Sequence, residues 1–245
     1  MSDYDEFTEH GFRKLLKMLK AGSYRFARYG EANTGPHVLW RHDVDLSMHR
    51  AAKLAAIERE EGAIATYFLN PHSAFYNLLE PAITALARRI SEAGHDLALH
   101  FDGDAYDINK WSVEQLDQTL GKERKLLEAI IECPIKAVSW HNPDQSNLLD
   151  FTAETIGGLI NSYSERLKRD YVYVSDSNGY WRFKPMSKVV AEQHPRLHLL
   201  THPGWWTPEP MSPSERIDRC LLGRARAIRA DYDRFLERAK RVNLR

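Results

Sequence analysis

Short apolar runs alternate along this chain with longer amphipathic stretches, and this alternation restricts its fold more than any other feature. The apolar runs are rich in the β-branched and aromatic residues that favour strands, and they read HVLWRHD, AIATYFLN, HDLALHF, IKAVSWHN, YVYVSD and LHLLTH. Strands that alternate with helices are typical of parallel β/α architecture. We therefore predict an α/β fold, built either as a barrel or as a doubly wound sheet.

The amphipathic stretches predict helices with recognisable starts. Ser47 and Ser112 each precede one of them and are suitable N-cap residues. Further helices are predicted over about 5–20, over 146–158 and over about 213–241, the last because apolar residues recur there at steps of three and four. No repeat, low-complexity tract or Gly/Ser linker divides the chain. Residues 1–245 are therefore predicted to form a single domain.

Charge balance and cysteine usage restrict the partners and the compartment. The 245 residues include 34 basic and 34 acidic side chains, so the net charge favours neither nucleic acid nor an anionic membrane. No segment approaches the ~20 consecutive apolar residues that span a bilayer, and the amino terminus lacks the apolar core of a secretory signal. Cys133 and Cys220 are predicted to be reduced thiols. We predict a cytoplasmic protein with no nucleic-acid partner and no membrane span.

Polar side chains end four of the predicted strands. They are Asp43 and Asp45, His100, His141 with Asn142, and His202. Residues two apart on a strand share a face, so the two aspartates project together with Arg41 behind them. In β/α barrels the carboxyl ends of the strands open onto a shared mouth, where the chemistry takes place. Several strand ends that supply Asp and His to one place predict a functional site.

Aspartate and neutral imidazole are suitable ligands for Zn²⁺, and also for Fe²⁺, Co²⁺ or Ni²⁺. A bound ion of this kind polarises a carbonyl and activates water. A neighbouring carboxylate then acts as base and a neighbouring imidazole as acid. The pattern therefore predicts one aspartate for the metal and one for the proton.

The motifs RHDVD, TYFLN, GHDLALHFD, SWHNP and LTHPGWW, in this order between about positions 38 and 206, resemble the polysaccharide deacetylase (NodB-homology) superfamily, the carbohydrate esterases of family four. The resemblance implies an irregular (β/α) barrel of about seven parallel strands, with helices outside and the site at the carboxyl ends of the strands. It also implies a divalent metal and the removal of acetyl groups from N-acetylated sugars.

The resemblance assigns roles to individual residues. Asp43 matches the catalytic base, Asp45 and His100 match metal ligands, and His202 matches the catalytic acid. Val44 separates acids that are adjacent in the usual pattern, so the roles of Asp43 and Asp45 are open to exchange.

Two further positions depart from the pattern. Asp104 stands where a second metal histidine is expected, which leaves either Asp104 or His141 as the third ligand. The arginine that normally restrains the catalytic aspartate is absent from its motif, and Arg41 or His42 is expected to replace it.

Substrate contacts are predicted for Arg41, Asn142, Asp176, Trp205 and Trp206. The position of Asp176 matches an Asp–Trp motif that orients the catalytic groups, and the two indoles are suited either to stacking on a sugar ring or to ordinary packing. Four other histidines are predicted to face solvent, namely His49, His72, His194 and His198.

The resulting hypothesis is a metal-dependent hydrolase that removes an N-acyl group from a sugar or from a nucleotide- or lipid-linked glycan precursor, as in surface polysaccharide biosynthesis. Zn²⁺ is the preferred metal, with Co²⁺, Ni²⁺, Fe²⁺ and Mn²⁺ as alternatives. Two other functions stay open: hydrolysis of a non-sugar linear or cyclic amide, and sugar binding without catalysis. The partner is a small-molecule sugar, and the apolar stripe of the tail predicts either a solvated helix end or a homodimer.

Overall fold

The computed structural model describes residues 6–31 and 34–244, which form one twisted sheet surrounded by helices. The strands are β1 (Arg25–Ala27), β2 (His37–Val44), β3 (Thr66–Leu69), β4 (Asp96–Asp102), β5 (Ala137–His141), β6 (Thr155–Ile156), β7 (Leu159–Asn161), β8 (Val172–Ser175) and β9 (Arg196–Thr201). The helices are α1 (Glu9–Ala21), α2 (Met48–Glu60), α3 (Pro81–Glu92), α4 (Val113–Ile131), α5 (Glu165–Asp170), α6 (Met186–Ala191) and α7 (Pro213–Arg238).

The sheet runs in the order β6-β7-β5-β4-β3-β2-β9-β8, and β1 pairs with the first half of β2. Seven strands from β7 to β8 are parallel, and only β6 runs antiparallel to its neighbour. The predicted irregular barrel of about seven parallel strands is thus confirmed. In the described residues no ladder joins β8 to β6 or β7, so the curled sheet has an open edge between its two edge strands, β6 and β8.

Serine caps begin three of the predicted helices. The hydroxyl of Ser47 accepts the backbone N–H of Arg50 at the start of α2, and Ser112 and Ser212 form capping boxes with Gln115 and Glu215. The helix predicted near the amino terminus begins at Glu9, and residue 5 of the predicted range lies outside the described residues. No helix in the described part of the chain combines the length and the apolar character needed to cross a bilayer.

The helix predicted over 146–158 is wrong. Its first part is a short 3₁₀ turn, Leu148–Asp150, and its last residues enter the β6–β7 hairpin. Gly157 and Gly158 have φ angles of 56° and 71°, which suit glycine and the tight turn between two antiparallel strands. This segment therefore forms a 3₁₀ turn followed by the short edge strand β6, and its apolar residues do not form a helix stripe.

Small and apolar residues fill the lower inner face of the sheet. Leu39, Phe68, Ala98 and Ala137 form this floor, and Leu167 of α5 packs against it from the open edge. Since side chains alternate along each strand, the next inward positions above the floor carry Arg41, Asp43, His100 and Ser139. The inner face thus changes from apolar to ionisable toward the carboxyl ends of the strands.

Candidate metal centre and active site

Three strand ends bring Asp45, His100 and His141 together. Asp45 follows β2, His100 lies in β4 and His141 is the last residue of β5. Asp45 Oδ1 lies 3.1 Å from His100 Nε2 and 3.4 Å from His141 Nδ1, and the two nitrogens are 3.2 Å apart. The carboxylate and the two imidazoles therefore direct one ligand atom each toward a common point.

These three atoms fit a divalent metal ion. A tetrahedral ion with ligands at about 2.0–2.1 Å separates them by roughly 3.3 Å, which is the spacing found here. Asp45 Oδ1 is buried, and no donor among the described residues is aimed at it with hydrogen-bond geometry. Burial alone would raise the pKa of Asp45, but the adjacent His100 and His141 hold it well below its usual range. An ionised oxygen with no donor of its own is typical of a metal ligand.

Second contacts fix the orientation of both imidazoles. His100 Nδ1 lies 2.7 Å from Ser139 Oγ, which itself donates to Asp43 Oδ1 at 3.4 Å. Ser139 Oγ therefore accepts a hydrogen bond from the Nδ1–H group of His100, and the lone pair of His100 Nε2 stays available for a metal ion. His141 Nε2 lies 3.0 Å from the side-chain amide of Asn142, which can present its oxygen or its nitrogen there.

Asp104, the other candidate for the third ligand, does not join this group. The chain turns away after β4, where the carboxylate of Asp102 accepts the backbone N–H of Asp104 at 3.1 Å and begins a 3₁₀ turn. The side chain of Asp104 is exposed. Of the two alternatives left open by the sequence, His141 is the one placed beside Asp45 and His100.

Asp43 lies below the metal-ligand group and is paired with Arg41. Arg41 Nη2 donates to Asp43 Oδ2 at 2.8 Å, and both side chains are almost fully buried. Burial opposes the charge of Asp43, but Arg41 first and His100 next lower its pKa below the usual range. Asp43 is therefore ionised, and it lines the pocket above.

Arg41, and not His42, restrains Asp43. The guanidinium of Arg41 also donates to Ser162 Oγ at 2.8 Å and to Tyr163 Oη at 3.0 Å. His42 points to the opposite face of the sheet and pairs with the buried Glu58 at 2.6 Å. Arg41 also lines the pocket, but its side chain is only 1% exposed and its guanidinium holds Asp43 in place.

His202 is held on the other side of Asp45 by Asp176. His202 Nδ1 lies 2.7 Å from Asp176 Oδ1, and His202 Nε2 lies 3.8 Å from Asp45 Oδ2. Asp176 also accepts the backbone N–H of His202 and the indole N–H of Trp206. Burial opposes the charge on His202, but the hydrogen bond and charge of Asp176, with that of Asp45, raise its pKa to about 9. His202 is therefore a protonated imidazolium that faces the site.

Three of the five residues predicted to contact substrate line the pocket, namely Arg41, Asn142 and Trp205. Asp176 and Trp206 do not line the pocket, because both side chains are completely buried and the indole N–H of Trp206 donates a hydrogen bond to Asp176. The two adjacent tryptophans thus have different environments. Trp205 lines the pocket, and Trp206 packs on Phe7 and Phe12 in the core.

The pocket above these residues has a volume of about 710 Å³. It extends from Asp45, His100 and His141 to the open edge of the sheet, where α5 and the segment after β8 contribute further residues. Ser162 and Tyr163 were missed in the sequence because they follow the short strand β7, which comes directly after the segment misassigned as helical.

His198 was also misjudged. It is buried on the inner face and lies 2.6 Å from Tyr29 Oη. The two-residue period that relates Leu200 to His202 extends to His198, and that period could have identified it.

Comparison with known proteins gives matches among solved structures alone. No family model and no curated protein matches the chain. The chain is similar to a CE4 family pseudoenzyme from Bacillus anthracis, with 15% identity and a TM-score of 0.41 over 83% of this chain and 65% of that one. It is also similar to a Streptococcus pyogenes deacetylase in complex with acetate, with 12% identity, a TM-score of 0.41 and 84% of each chain covered.

A family 4 carbohydrate esterase from Bacillus anthracis gives 13% identity and a TM-score of 0.42 over 86% of this chain and 85% of that one. The chain spans about two thirds of the length of the pseudoenzyme. At such identities and TM-scores the similarities assign no activity to this chain.

Proposed function

We propose that this protein is a metal-dependent hydrolase that removes an N-acyl group, such as acetyl, from a sugar or a sugar-linked precursor. One observation supports the proposal above all others. Asp45, His100 and His141 converge within 3.4 Å of one another, while an ionised Asp43 and a protonated His202 flank them in the same pocket. Metal ligands, a base and an acid in one pocket are the set that amide hydrolysis requires.

Asp45, His100 and His141 would hold the ion, with Zn²⁺ as the first choice because its preferred donors and tetrahedral geometry match the three atoms. Co²⁺, Ni²⁺, Fe²⁺ and Mn²⁺ accept the same donors. When bound, the ion supplies Lewis acidity toward a carbonyl and toward water.

The protein residues carry the proton transfers. Asp43, ionised by its contact with Arg41, takes a proton from the attacking water. His202, oriented by Asp176 through Nδ1, gives its Nε2 proton to the departing nitrogen. A C–O bond forms between water and the acyl carbon while the C–N bond breaks, and the products are a carboxylic acid and an amine.

The finer features of the function are part of the same proposal. The substrate would be an N-acylated sugar in a glycan precursor, and the protein would act in the cytoplasm, in agreement with the unpaired Cys133 and Cys220. The exposed stripe of α7 would support a homodimer.

Elemental analysis of purified wild type, His141→Ala and Asp104→Ala, together with an assay for released amine, tests the proposal. Wild type and Asp104→Ala should hold close to one equivalent of metal and release amine from an N-acetylated sugar. His141→Ala should lose both properties. Asp104→Ala is the matched control because it removes the other candidate ligand from the same part of the chain.

The opposite result in the two variants would overturn the ligand assignment. Wild type that stays free of metal after exposure to Zn²⁺, Co²⁺, Ni²⁺, Fe²⁺ and Mn²⁺ would overturn the metal-dependent mechanism. Turnover of a cyclic ureide with no turnover of any N-acetylated sugar would favour the non-sugar amide hydrolase.

A further inference from the structure

The pocket is not confined to the metal-ligand group. It continues along the inner face to the open edge between the β6–β7 hairpin and β8, where Lys168 of α5 and Tyr173 of β8 line it. The segment after β8 adds Tyr180, Arg182 and Phe183. An acetamido group occupies only a small part of a pocket of about 710 Å³. The open-edge end is therefore available to another part of the substrate.

Two cations at the open-edge end have no carboxylate partner. Neighbouring basic side chains are paired: Arg166 lies 3.3 Å from Glu154, Arg169 lies 2.8 Å from Asp170 and Lys184 lies 2.5 Å from Glu192. Within residues 6–31 and 34–244, no carboxylate oxygen lies within 4.0 Å of the charged nitrogens of Lys168 or Arg182. Lys168 and Arg182, which line the open-edge end of the pocket, thus differ from their paired basic neighbours.

Exposed aromatic rings accompany these cations. Tyr173, Tyr180 and Phe183 are 39%, 52% and 68% exposed, and the Arg182 guanidinium lies 5.5 Å from the centre of the Phe183 ring. Rings exposed together at the rim of a pocket offer flat apolar faces to a ligand. A cation beside such faces suits a ligand that combines negative charge with a ring.

We propose that the open-edge end of the pocket binds an anionic group of the substrate, a phosphate or a carboxylate attached to the N-acylated sugar, through Lys168 and Arg182. Tyr180 and Phe183 then contact the ring that carries the anion. Arginine binds such oxygens through paired N–H groups and lysine acts as a point charge, so the two side chains together suit either anion. The role of this substrate in catalysis rests on the proposed function, whereas the binding of the anion does not.

Titration calorimetry with uridine diphosphate, glucuronate and neutral N-acetylglucosamine tests the binding site. The proteins are wild type, the double variant Lys168→Ala/Arg182→Ala, and a matched control, Lys17→Ala/Arg89→Ala, which removes two exposed cations from α1 and α3. Each is also prepared with His141→Ala, so that binding of phosphate to a metal at the catalytic end does not contribute.

We expect at least one of the two anions to bind, with affinity at least tenfold weaker in Lys168→Ala/Arg182→Ala and unchanged in the control. Binding should persist with His141→Ala, which separates this site from the proposed metal centre. Preference for uridine diphosphate would identify a phosphate-bearing substrate, and preference for glucuronate a uronate. No binding of either anion to wild type, or equal binding to wild type and the double variant, would overturn the proposal.

Discussion

Asp176 links the core to the candidate site although it does not line the pocket. Its carboxylate is completely buried and bonds His202 through one oxygen and Trp206 through the other. A buried carboxylate on Nδ1 fixes the tautomer and the direction of the imidazole, so that Nε2 faces the site. Asp176 is thus a positioning residue for His202.

We expect Asp176→Asn to lower kcat about 10²–10³-fold, since a misdirected imidazole no longer serves as acid. Metal content and the far-UV circular dichroism spectrum should match those of wild type, because neither the ligands nor the sheet changes. Trp206→Phe removes the other bond to the same carboxylate and should cost far less activity. Equal losses in the two variants would contradict a specific link from Asp176 to His202.

His198 provides a pH dependence of stability that is separate from the metal centre. Burial, and then the charge of Arg41, lower its pKa from 6.5 to about 3 in the folded protein. The His198 side chain therefore stays neutral in the folded protein, whereas in the unfolded protein it takes up a proton below about pH 6.5. The free energy of unfolding consequently decreases as the pH falls from about 6.5 toward 3. The free energy of unfolding falls by about 1.4 kcal/mol for each pH unit below 6.5, which amounts to about 2 kcal/mol at pH 5.

Urea unfolding at pH 7 and pH 5 measures this effect. The free energy of unfolding of His198→Gln, which keeps an acceptor for Tyr29, should fall less between the two pH values than that of wild type. His49→Gln, at an exposed position of α2, should follow wild type. The interpretation fails if His198→Gln and wild type show the same pH dependence.

At the scale of elements, α7 is an amphipathic helix whose apolar stripe faces away from the barrel. Leu221, Ile228, Tyr232 and Phe235 are 48–53% exposed, whereas Cys220 and Ala227, on another face, line the crevice against α2 and α3. Together with Ala225, which lies between Leu221 and Ile228, the stripe residues are spaced four, three, four and three positions apart in the sequence. This is the heptad spacing of a seam that packs on a second helix.

We expect the stripe to pair with α7 of a second copy of the chain. Sedimentation velocity at tens of micromolar protein should give a dimer for wild type and a monomer for Ile228→Glu/Tyr232→Glu. Arg226→Glu, which is exposed on α7 but off the stripe, should stay dimeric. Wild type that sediments as a monomer would refute a homodimer formed through this helix.

The strongly periodic elements are also the ones that the sequence predicts well. The strands β2, β4, β5 and β9 are long enough for their two-residue period to set which side chains face inward, and this period brought Asp45, His100 and His141 together in the prediction. The three-residue β7 has no such period, so Ser162 and Tyr163 went unnoticed. Asp104 was kept as a candidate because sequence spacing does not reveal the turn that Asp102 caps.

At the scale of the whole molecule, the site is assembled from both halves of the chain. Asp43 lies in β2 and Asp45 directly follows it, and His202 follows β9, the direct neighbour of β2 in the sheet. The turn at residues 157–158 and the segment of residues 177–183 lie between β2 and β9 in sequence. Both border the open edge of the sheet. Sequence periodicity carries no information on how such irregular segments meet in space, and Lys168 and Arg182 were not identified for that reason. The single domain over residues 1–245 stays a prediction.

The unpaired edges of β6 and β8 have a consequence for the size of the substrate. A barrel closed on all sides admits its ligand through one end, so its diameter limits what can be attached to the reacting group. A gap in the barrel wall removes that limit, because a bulky substituent can extend out through the gap while the amide is bound at the carboxyl ends of the strands. For the proposed hydrolase, discrimination among conjugates of one sugar would then depend on the side chains at the gap, which can vary without any change in the residues proposed to break the bond.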